Sequence, residues 1–299
     1  MTTTLVTGIA GFTGKYMASR LRAAGHEVHG LVREPDQADS SAIGVQHACD
    51  LLDHECLAAV IRDIRPDYVI HLAGIAFVAH GDVAEMYQTN ILGTRSLLEA
   101  CANVEAPPRA ILIASSANVY GNASEGTLVE DAPARPANDY AVSKVAVENL
   151  AAIYAARLPI IVARPFNYTG VGQSEDFLIP KIVSYIKRRA QTIELGNLDV
   201  ARDFSDVRAV TEAYLRLIET PAAIGGVFNV CSGKAVSLRE VVRLASELAE
   251  HDIEVVINPA FVRANEVKLL LGSREKLESV IGPLSMPPLE ETLRWMIES

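Results

Sequence analysis

TGIAGFTG, at residues 7 to 14, joins an apolar run to an amphipathic one. TTTLV before it suits a short buried strand, and apolar residues recur at helical spacing after it. Its three glycines therefore lie on a strand-to-helix turn. Gly8 permits the tight turn, Gly11 leaves room for a phosphate against the backbone amides, and Gly14 lets the helix pack closely on the strand. The turn predicts a dinucleotide site with a diphosphate at the helix N-terminus, an ordinary glycine turn being the alternative.

The composition is that of a globular protein. The 299 residues are 49% hydrophobic and 21% charged, and the length suits one large domain or two intimately joined ones. The formal net charge of -10 disfavours non-specific binding to nucleic acids, which depends on neutralising phosphates. We therefore expect no nucleic-acid partner, and we expect any anionic ligand to be held by local arginines.

The cysteines and the N-terminal segment favour a cytoplasmic protein. The four cysteines form no CxxC pair and no cluster with histidine, so we expect reduced, mostly buried thiols and no metal site. They are Cys49, Cys56, Cys101 and Cys231. No basic segment precedes an apolar one near residue 1, and no apolar run reaches roughly 18 residues, so we predict neither secretion nor a membrane partner.

Apolar, strand-like runs alternate with helical patterns through the first half of the chain. The strand-like runs lie at residues 27–32, 45–51, 67–73, 110–115 and 158–165. The helical patterns lie at about 54–64, 82–104 and 139–157. This alternation is typical of βαβ units, so the predicted fold class is α/β with a doubly wound parallel sheet.

The alternation becomes less regular after residue 165. We expect a helix at about 178–190, a short strand near 192–196, a helix from about 206 to 219 and one more sheet strand at 226–232. The remainder is consistent with a small capping lobe. We therefore divide the chain into a dinucleotide-binding domain, residues 1–165 plus about 203–232, and a smaller lobe, about 166–202 plus 233–299.

A tyrosine and a lysine follow one of the predicted strands on a common helix face. The strand that ends at Ser115 runs into the polar stretch SSANVYG, and YAVSK then places Tyr140 and Lys144 four residues apart. A nearby ammonium lowers the pKa of a phenol toward the range useful for acid–base catalysis. Ser116 could bind the same reacting oxygen. For this spacing alone, an exposed tyrosine and lysine on a solvated helix face are the alternative.

Taken in order, these segments closely resemble the extended short-chain dehydrogenase/reductase superfamily. They are TGIAGFTG, the pair Asp50–Leu51, HLAG at 71–74, Asn90, SSANVYG and YAVSK, and the likeness spans essentially the whole chain. The resemblance implies a Rossmann-type fold with a smaller C-terminal substrate lobe and a nicotinamide cofactor. It also implies that Ser116 and Tyr140 act on the substrate oxygen, while Lys144 tunes Tyr140 and holds the nicotinamide ribose.

The cofactor-binding residues that the resemblance implies lie in the glycine turn, at strand ends and on two helices: Gly8, Gly11, Phe12, Thr13, Gly14, Asp50, Leu51, Leu72, Ala73, Gly74, Asn90, Tyr140 and Lys144. Rossmann sites that prefer NAD carry an acidic residue at the end of the second strand, whereas an arginine there accommodates a 2′-phosphate. Val32 stands at that place, and Arg33 follows it. The sequence therefore favours NADP(H), and the neighbouring Glu34 keeps NAD(H) as the alternative.

The second half of the chain resembles the sugar-nucleotide branch of the superfamily in RPFNYTGVGQ, LGNLDVARDFSDV and RANEV, the middle segment being most similar to enzymes of GDP-sugars. The resemblance implies that Asn167 and Arg202 bind the substrate diphosphate. It also implies that Arg263 assists them and that Glu266 accepts a hydrogen bond from a ribose hydroxyl. Guanidinium and carboxylate groups suit these tasks, while surface salt bridging is the alternative for either arginine alone.

The residues after Ser116 bear on the reaction. In the related 4,6-dehydratases an acidic residue directly follows the catalytic serine or threonine, whereas this chain has Ala117–Asn118, so we do not expect dehydration. The likeness is closest to the GDP-4-keto-6-deoxy-D-mannose reductases. It implies NADPH-dependent reduction of the C4 ketone to GDP-rhamnose or GDP-6-deoxytalose, for cell-surface glycans. A sugar-nucleotide 4-epimerase and a non-catalytic NADP-binding regulator are the alternatives. Because the pair after HLAG, Ile75–Ala76, is apolar where relatives often have polar residues, the identity of the sugar is not determined by the resemblance.

A homodimer is expected through the helices at 82–104 and 139–157. Both carry apolar residues on more than one face, which exceeds what packing on a sheet needs. These residues are Met86, Ile91, Leu97, Leu98, Val145, Val147, Leu150 and Ile153. The resemblance implies a four-helix contact at this place, and a monomer with well-buried helices is the alternative.

Overall fold

The structure is a computed structural model that describes residues 1–34, 44–76, 82–121, 126–261 and 268–299. Two of the residues assigned to substrate binding from the sequence, Arg263 and Glu266, lie outside these ranges.

The first six strands correspond to the strand-like runs of the sequence. In chain order they are β1 (Thr3–Thr7), β2 (Glu27–Val32), β3 (Val45–Ala48), β4 (Tyr68–His71), β5 (Ala110–Ala114), β6 (Ile160–Pro165), β7 (Asn167–Thr169), β8 (Thr192–Leu195), β9 (Ala201–Asp206), β10 (Val227–Val230), β11 (Ala235–Ser237), β12 (Glu254–Ile257) and β13 (Leu269–Leu270).

Helices connect these strands and close the chain. They are α1 (Phe12–Ala23), α2 (His54–Ile64), α3 (Val83–Tyr87), α4 (Gly93–Ala102), α5 (Asp139–Tyr154), α6 (Leu178–Lys187), α7 (Val207–Glu219), α8 (Leu238–Ala249), α9 (Glu275–Ile281) and α10 (Leu289–Glu298). Gln88–Leu92 forms a π-helical turn between α3 and α4. Such turns are frequent at functional sites.

Seven parallel strands form the central sheet in the order β10-β6-β5-β4-β1-β2-β3. The chain runs outward from β1 in one direction as far as β3, then returns to β4 on the other side of β1. The order therefore reverses between β1 and β4, and ligands of open α/β sheets bind in the crevice at such a reversal. The predicted α/β class and doubly wound parallel sheet are confirmed.

Burial explains why the middle strands are so apolar. Every residue of β4 and β6 is buried, as expected for strands covered on both faces. Helices α1, α7 and α9 supply core residues on one face, including Met17, Tyr214 and Leu277. Helices α2, α4 and α5 supply the other face. Asn138 starts α5 by accepting a hydrogen bond from Ala141 N at 2.8 Å, and an N-cap of this kind fixes where the helix begins.

A second, smaller sheet is built on strand β9. It pairs antiparallel with β11 and parallel with β7 and β13, while β8 and β12 form a separate parallel pair. The sequence pattern did not predict β9, because its residues, ARDFSD, alternate too weakly in hydrophobicity to resemble a strand. Within the described ranges, no helix is long and apolar enough to cross a membrane.

The apolar residues expected to form a dimer contact mostly face inward. Met86, Leu97, Leu98 and Val147 are buried in the core, so these four side chains are not available for the expected contact with a second copy. Leu97, Leu98 and Val147 belong to the core on one face of the central sheet, which explains their hydrophobicity. Of the named set, Ile153 is exposed, by 71%. Leu92 and Val142, which the sequence did not single out for this contact, are 48% and 41% exposed.

Candidate active site

The glycine turn between β1 and α1 fits a dinucleotide pyrophosphate. Gly8 has φ +69°, and a Cβ there would lie 2.8 Å from Ala73 N. A Cβ on Gly14 would collide with the carbonyl oxygen of Gly8. Helix α1 begins after Gly11 without a side-chain cap, so its first amides point toward any anion placed there. Gly8 and Gly14 thus allow the turn to pack closely on the β4 loop and on its own backbone, and the N-terminus of α1 is left without a side-chain cap.

An aromatic contact joins this turn to the smaller lobe. The rings of Phe12 and Tyr168 stack with centroids 6.2 Å apart, and the hydroxyls of Thr13 and Tyr168 share a hydrogen bond of 2.8 Å. Tyr168 lies on β7, next to Asn167. Nothing in the sequence alone singled out Tyr168; its one signal is its place in RPFNYTG, directly after a residue already assigned to substrate.

Buried polar residues fix the loop after β4, where HLAG was expected to follow the cofactor. His71 lies between the hydroxyls of Thr7 (2.7 Å) and Thr94 (2.8 Å), and burial lowers the pKa of His71 to about 3, so its ring is neutral. The Asn90 amide binds both backbone groups of Ile75, accepting at 2.8 Å and donating at 3.1 Å. The backbone of this loop is therefore held rigidly.

Gly74 brings the loop within reach of two further predicted residues. A Cβ at this position would lie 2.9 Å from Asn90 Oδ1 and 3.7 Å from Lys144 Nζ. Asn90 also donates to Ser143 Oγ at 3.0 Å, which ties the π-helical turn to α5. Contacts thus bring the predicted cofactor residues of the glycine turn, the β4 loop and α5 together where the strand order reverses between β1 and β4.

Ser116, Tyr140 and Lys144 come together at the carboxyl end of β5, and we refer to them as the serine–tyrosine–lysine cluster. Ser116 Oγ accepts hydrogen bonds from Asn118 N and Asn118 Nδ2, both at 3.1 Å. The Ser116 hydroxyl lies near the Tyr140 phenol and lowers its pKa. Lys144 Nζ donates to Ala114 O at 2.8 Å and lies 5.8 Å from the centre of the Tyr140 ring.

Burial dominates the protonation of this cluster. It raises the pKa of Tyr140 above its usual value, and the Ser116 hydrogen bond offsets only part of that rise. Burial also lowers the pKa of Lys144 to about 8, with the Glu148 carboxylate acting in the opposite direction. The net lowering of the Tyr140 pKa that the sequence suggested does not occur in this structure, because Lys144 Nζ donates to Ala114 O and desolvation of the phenol prevails.

Arg33 stands at the end of β2, beside the residues expected along the adenine. Its side chain is 60% exposed, with Nε 3.5 Å from Asp50 Oδ2 and Nη1 3.8 Å from Glu85 Oε1. Exposed pairs of this length contribute little stability. Turning toward another anion would therefore cost the guanidinium little interaction energy.

The residues assigned to the substrate diphosphate lie on neighbouring strands of the small sheet. Asn167, on β7, donates to Asp203 O at 3.3 Å, and Arg202, on β9, donates to Ala201 O at 2.9 Å. Because β7 and β9 pair directly, with Asn167 opposite Phe204, the two side chains belong to one surface region. No group of three or more histidine, cysteine or acidic residues able to hold a metal occurs in the part of the chain that the structure covers.

The family follows from comparison with known proteins. Residues 5–296 match the family described as GDP-mannose 4,6 dehydratase. The chain belongs to this family. It is therefore an enzyme of the NAD(P)-dependent extended short-chain dehydrogenase/reductase superfamily, which confirms the resemblance and the fold class predicted from the sequence.

Three similar proteins illustrate the family. GDP-6-deoxy-D-mannose reductase of Pseudomonas aeruginosa is 37% identical, the alignment covering 97% of this chain and 94% of that protein. The structure of RMD from Pseudomonas aeruginosa complexed with NADPH has a TM-score of 0.86 at 33% identity, covering 100% and 97% of the two chains. A Burkholderia cenocepacia J2315 protein, provisionally described as an epimerase, has a TM-score of 0.94 at 53% identity, covering 99% and 97%.

Proposed function

We propose that this protein reduces the C4 ketone of GDP-4-keto-6-deoxy-D-mannose with NADPH and produces a GDP-6-deoxyhexose, GDP-rhamnose or GDP-6-deoxytalose. The observation that carries the proposal is the serine–tyrosine–lysine cluster at the carboxyl end of β5, in which Asn118 donates twice to Ser116 Oγ. The cluster places the Ser116 and Tyr140 hydroxyls near each other, and no acidic side chain directly follows the serine. The similarity to a GDP-6-deoxy-D-mannose reductase over nearly the whole chain supports it.

The crevice fits the cofactor. The glycine turn would receive the pyrophosphate, Lys144 the nicotinamide ribose, and Arg33 the 2′-phosphate of NADP(H), since a guanidinium matches phosphate oxygens. The neighbour bound to NADPH supports this preference, and NAD(H) stays the alternative. When bound, NADPH supplies the hydride.

Tyr140 would supply the proton to the substrate oxygen O4. Its raised pKa keeps the phenol protonated at neutral pH, which is the state that a reduction requires. Ser116 would give a second hydrogen bond to the same oxygen. The charged Lys144 beside them would stabilise the phenolate that proton transfer leaves behind.

Dehydration would need a base next to the new ketone. Ala117 has no side-chain acceptor, and both nitrogens of Asn118 donate to Ser116. The two residues after the serine therefore orient its hydroxyl and cannot remove a proton. This distinguishes the chain from the 4,6-dehydratases whose family name it shares.

Substrate binding is proposed for the lobe side of the crevice. Asn167 and Arg202 would bind the diphosphate from adjacent strands of the small sheet. For Arg263 and Glu266 we propose the roles expected from the sequence. Arg263 would assist in binding the diphosphate, and Glu266 would accept a hydrogen bond from a ribose hydroxyl. The division into a dinucleotide-binding domain and a smaller lobe follows the same crevice.

We further propose a homodimer in the cytoplasm. The exposed apolar side chains of Leu92, Val142 and Ile153, on the π-helical turn and α5, would meet a second copy. All four cysteines are free thiols, as is usual in a reducing compartment.

The proposal is tested by incubating purified protein with NADPH and GDP-4-keto-6-deoxy-D-mannose, following NADPH absorbance and identifying the sugar. We expect one NADPH oxidised per GDP-6-deoxyhexose formed. Tyr140→Phe should bind NADPH normally and lower turnover by a factor on the order of 100 to 10,000. Interconversion of 4-epimers without net oxidation would establish the epimerase instead. Cofactor binding with no turnover of either kind would establish the regulator.

A further inference from the structure

A buried ion pair lies directly behind the serine–tyrosine–lysine cluster. Glu148 follows Lys144 by one turn of α5, and both of its carboxylate oxygens are engaged. Oε1 accepts from Ser115 Oγ at 2.5 Å and from Arg164 Nε at 2.9 Å, and Oε2 accepts from Arg164 Nη2 at 2.7 Å. The Arg164 and Glu148 side chains are only 9% and 15% exposed. The pair therefore has the bidentate geometry that makes such contacts strong and directional.

Arg164 extends this pair to the turn after Ser116 and to the next strand. Its Nη1 donates to Tyr120 OH at 2.8 Å and to Glu130 O at 2.9 Å, and its guanidinium lies 4.9 Å from the Tyr120 ring centre. Tyr120 OH donates in turn to Asn229 Oδ1 on β10, at 2.7 Å. A buried charge is tolerated only when its hydrogen-bonding groups are satisfied. Each of these partners therefore restricts where Arg164, and through it Glu148, can lie.

Consecutive turns of α5 are tied to consecutive residues at the end of β5. Lys144 Nζ donates to Ala114 O at 2.8 Å, and Glu148 accepts from the hydroxyl of Ser115. The next residue is Ser116. These two contacts thus fix the strand end against the helix face that carries Tyr140, and so fix the approach of the serine to the phenol.

We propose that Glu148 is a positioning residue for the reaction proposed above. Clamped by Arg164, its carboxylate holds Ser115, and hence Ser116, against α5, and it keeps the Lys144 ammonium charged. Glu148 does not contact the substrate and acts through its neighbours. The expected changes in turnover rest on the proposed function, whereas the expected change in Lys144 protonation does not.

Several titratable groups face Lys144 and Tyr140: Glu148 on the same helix, His71 on β4, Tyr168 on β7, Tyr214 on α7 and, through Glu148, Arg164 on β6. His71 is neutral, and burial raises the pKa of both other tyrosines, so they are neutral too. Glu148 opposes the lowering of the Lys144 pKa by burial. Removing its charge should therefore let Lys144 lose its proton at lower pH.

The first experiment compares Glu148→Gln with Glu212→Gln. Glu212 is a matched control because it is paired with Arg20 and Arg216, is 22% exposed, and joins α7 to α1. In protein labelled with ¹³C-lysine and free of cofactor, the Lys144 Cε resonance, assigned with Lys144→Arg, reports its protonation. We expect it to titrate about one pH unit lower in Glu148→Gln and as in wild type in Glu212→Gln.

Turnover gives a second readout. With NADPH and the GDP-4-keto sugar, Glu148→Gln should lower kcat on the order of tenfold, change the KM for NADPH less than about threefold, and move the alkaline limb of the kcat profile to lower pH. Glu212→Gln should leave all three unchanged. A merely structural ion pair would lower the melting temperature in both variants without moving the pH profile.

Ser115 provides variants that leave no charge unpaired. Ser115→Ala should lower kcat several-fold, and Ser115→Thr, which keeps the hydroxyl, should restore most of it. If Glu148→Gln fails to fold, the Ser115 variants test the positioning role in its place. Wild-type titration of Lys144 in Glu148→Gln, or wild-type turnover in Ser115→Ala, would overturn the positioning role. If the wild-type enzyme does not reduce the GDP-4-keto sugar, the proposed function fails, and the lysine titration alone decides on Glu148.

Discussion

Tyr140, Lys144 and His71 are all buried, and burial sets the protonation state of each. The phenol is held neutral, the ammonium pKa is lowered to about 8, and the imidazole pKa is lowered to about 3. The sequence showed that a tyrosine and a lysine share a helix face. It could not show which backbone oxygen the lysine binds, because that depends on the strand against which the helix packs.

Arg33 provides a prediction about the cofactor. Arg33→Ala should raise the KM for NADPH on the order of tenfold or more and leave the KM for NADH nearly unchanged, since only NADPH brings a 2′-phosphate to the guanidinium. Steady-state kinetics with each cofactor measure this directly, and NADH is the internal control. Equal changes for both would remove Arg33 from the site and favour NAD(H).

His71 provides a prediction about stability and pH. In the unfolded chain a histidine takes up a proton below its ordinary pKa of 6.5, whereas His71 in the folded chain stays neutral down to about 3. The unfolded state therefore binds more protons in this interval, and the free energy of unfolding falls as the pH falls from 6.5 toward 3.

The matched variant is His71→Gln, whose amide can bond both threonine hydroxyls but does not titrate. Between pH 6.5 and 5, the wild type should lose about 1.6 kcal/mol more free energy of unfolding than the variant, because the slope rises from half of about 1.4 kcal/mol per pH unit at pH 6.5 to nearly the full value at pH 5. Urea unfolding at the two pH values measures this. Parallel losses in both proteins would show that His71 does not carry the effect.

At the scale of elements, the glycine turn can be tested by comparing Gly8 with Gly25, a glycine outside the turn. Gly8 and Gly25 both have positive φ, +69° and +85°, but a Cβ would meet the Ala73 backbone at Gly8 and nothing within 4 Å at Gly25. Gly8→Ala should therefore lower the affinity for NADPH on the order of tenfold or more. Gly25→Ala should cost about 1 kcal/mol of stability from backbone strain and leave that affinity unchanged.

Calorimetric titration of NADPH and urea unfolding separate the two effects. Equal losses of affinity in both variants would mean that strain, rather than the close approach of the turn to the β4 loop, is responsible. Undiminished affinity in Gly8→Ala would remove the turn from the cofactor site.

The elements that the sequence predicted well are those with strong apolar periodicity. Strand β2 and helix α2 begin and end where the pattern placed them. The single predicted helix at 82–104 instead contains a π-helical turn at Gln88–Leu92, which hydrophobic spacing cannot reveal. Strand β9 was missed because its polar residues break the apolar alternation typical of a strand. Tertiary contacts, such as those of Asp203 with Ser232 and Gly233, allow these polar residues to be buried.

At the scale of the whole molecule, the two parts of the chain meet across the glycine-turn helix. Tyr16 OH donates to Val171 O at 2.7 Å, and the Tyr16 and Trp295 rings lie edge to face with centroids 6.0 Å apart. Thr292, on the last helix, donates to Asp206 at 2.8 Å. The last helix therefore contacts the helix that follows the glycine turn, a long-range contact that no local sequence pattern encodes.

The homodimer gives a prediction at the same scale. Ile153→Arg should convert the dimer to a monomer, because it places a charge on the most exposed apolar side chain of α5. Val256→Arg, at an exposed apolar position of the small lobe, is the control and should stay dimeric. Light scattering of both variants and of the wild type measures the mass. A wild type with the monomer mass would contradict the dimer outright.

The central claim is that hydride reaches C4 of a GDP-linked keto sugar. It is tested most directly with NADPH deuterated at the transferable position of the nicotinamide, GDP-4-keto-6-deoxy-D-mannose and catalytic amounts of enzyme, followed by NMR of the product. We expect one deuterium at C4 of each GDP-6-deoxyhexose molecule, in stoichiometric amount with the NADPH consumed, and a rate lowered on the order of 100-fold or more in Tyr140→Phe. A sugar product free of deuterium at C4 would contradict it.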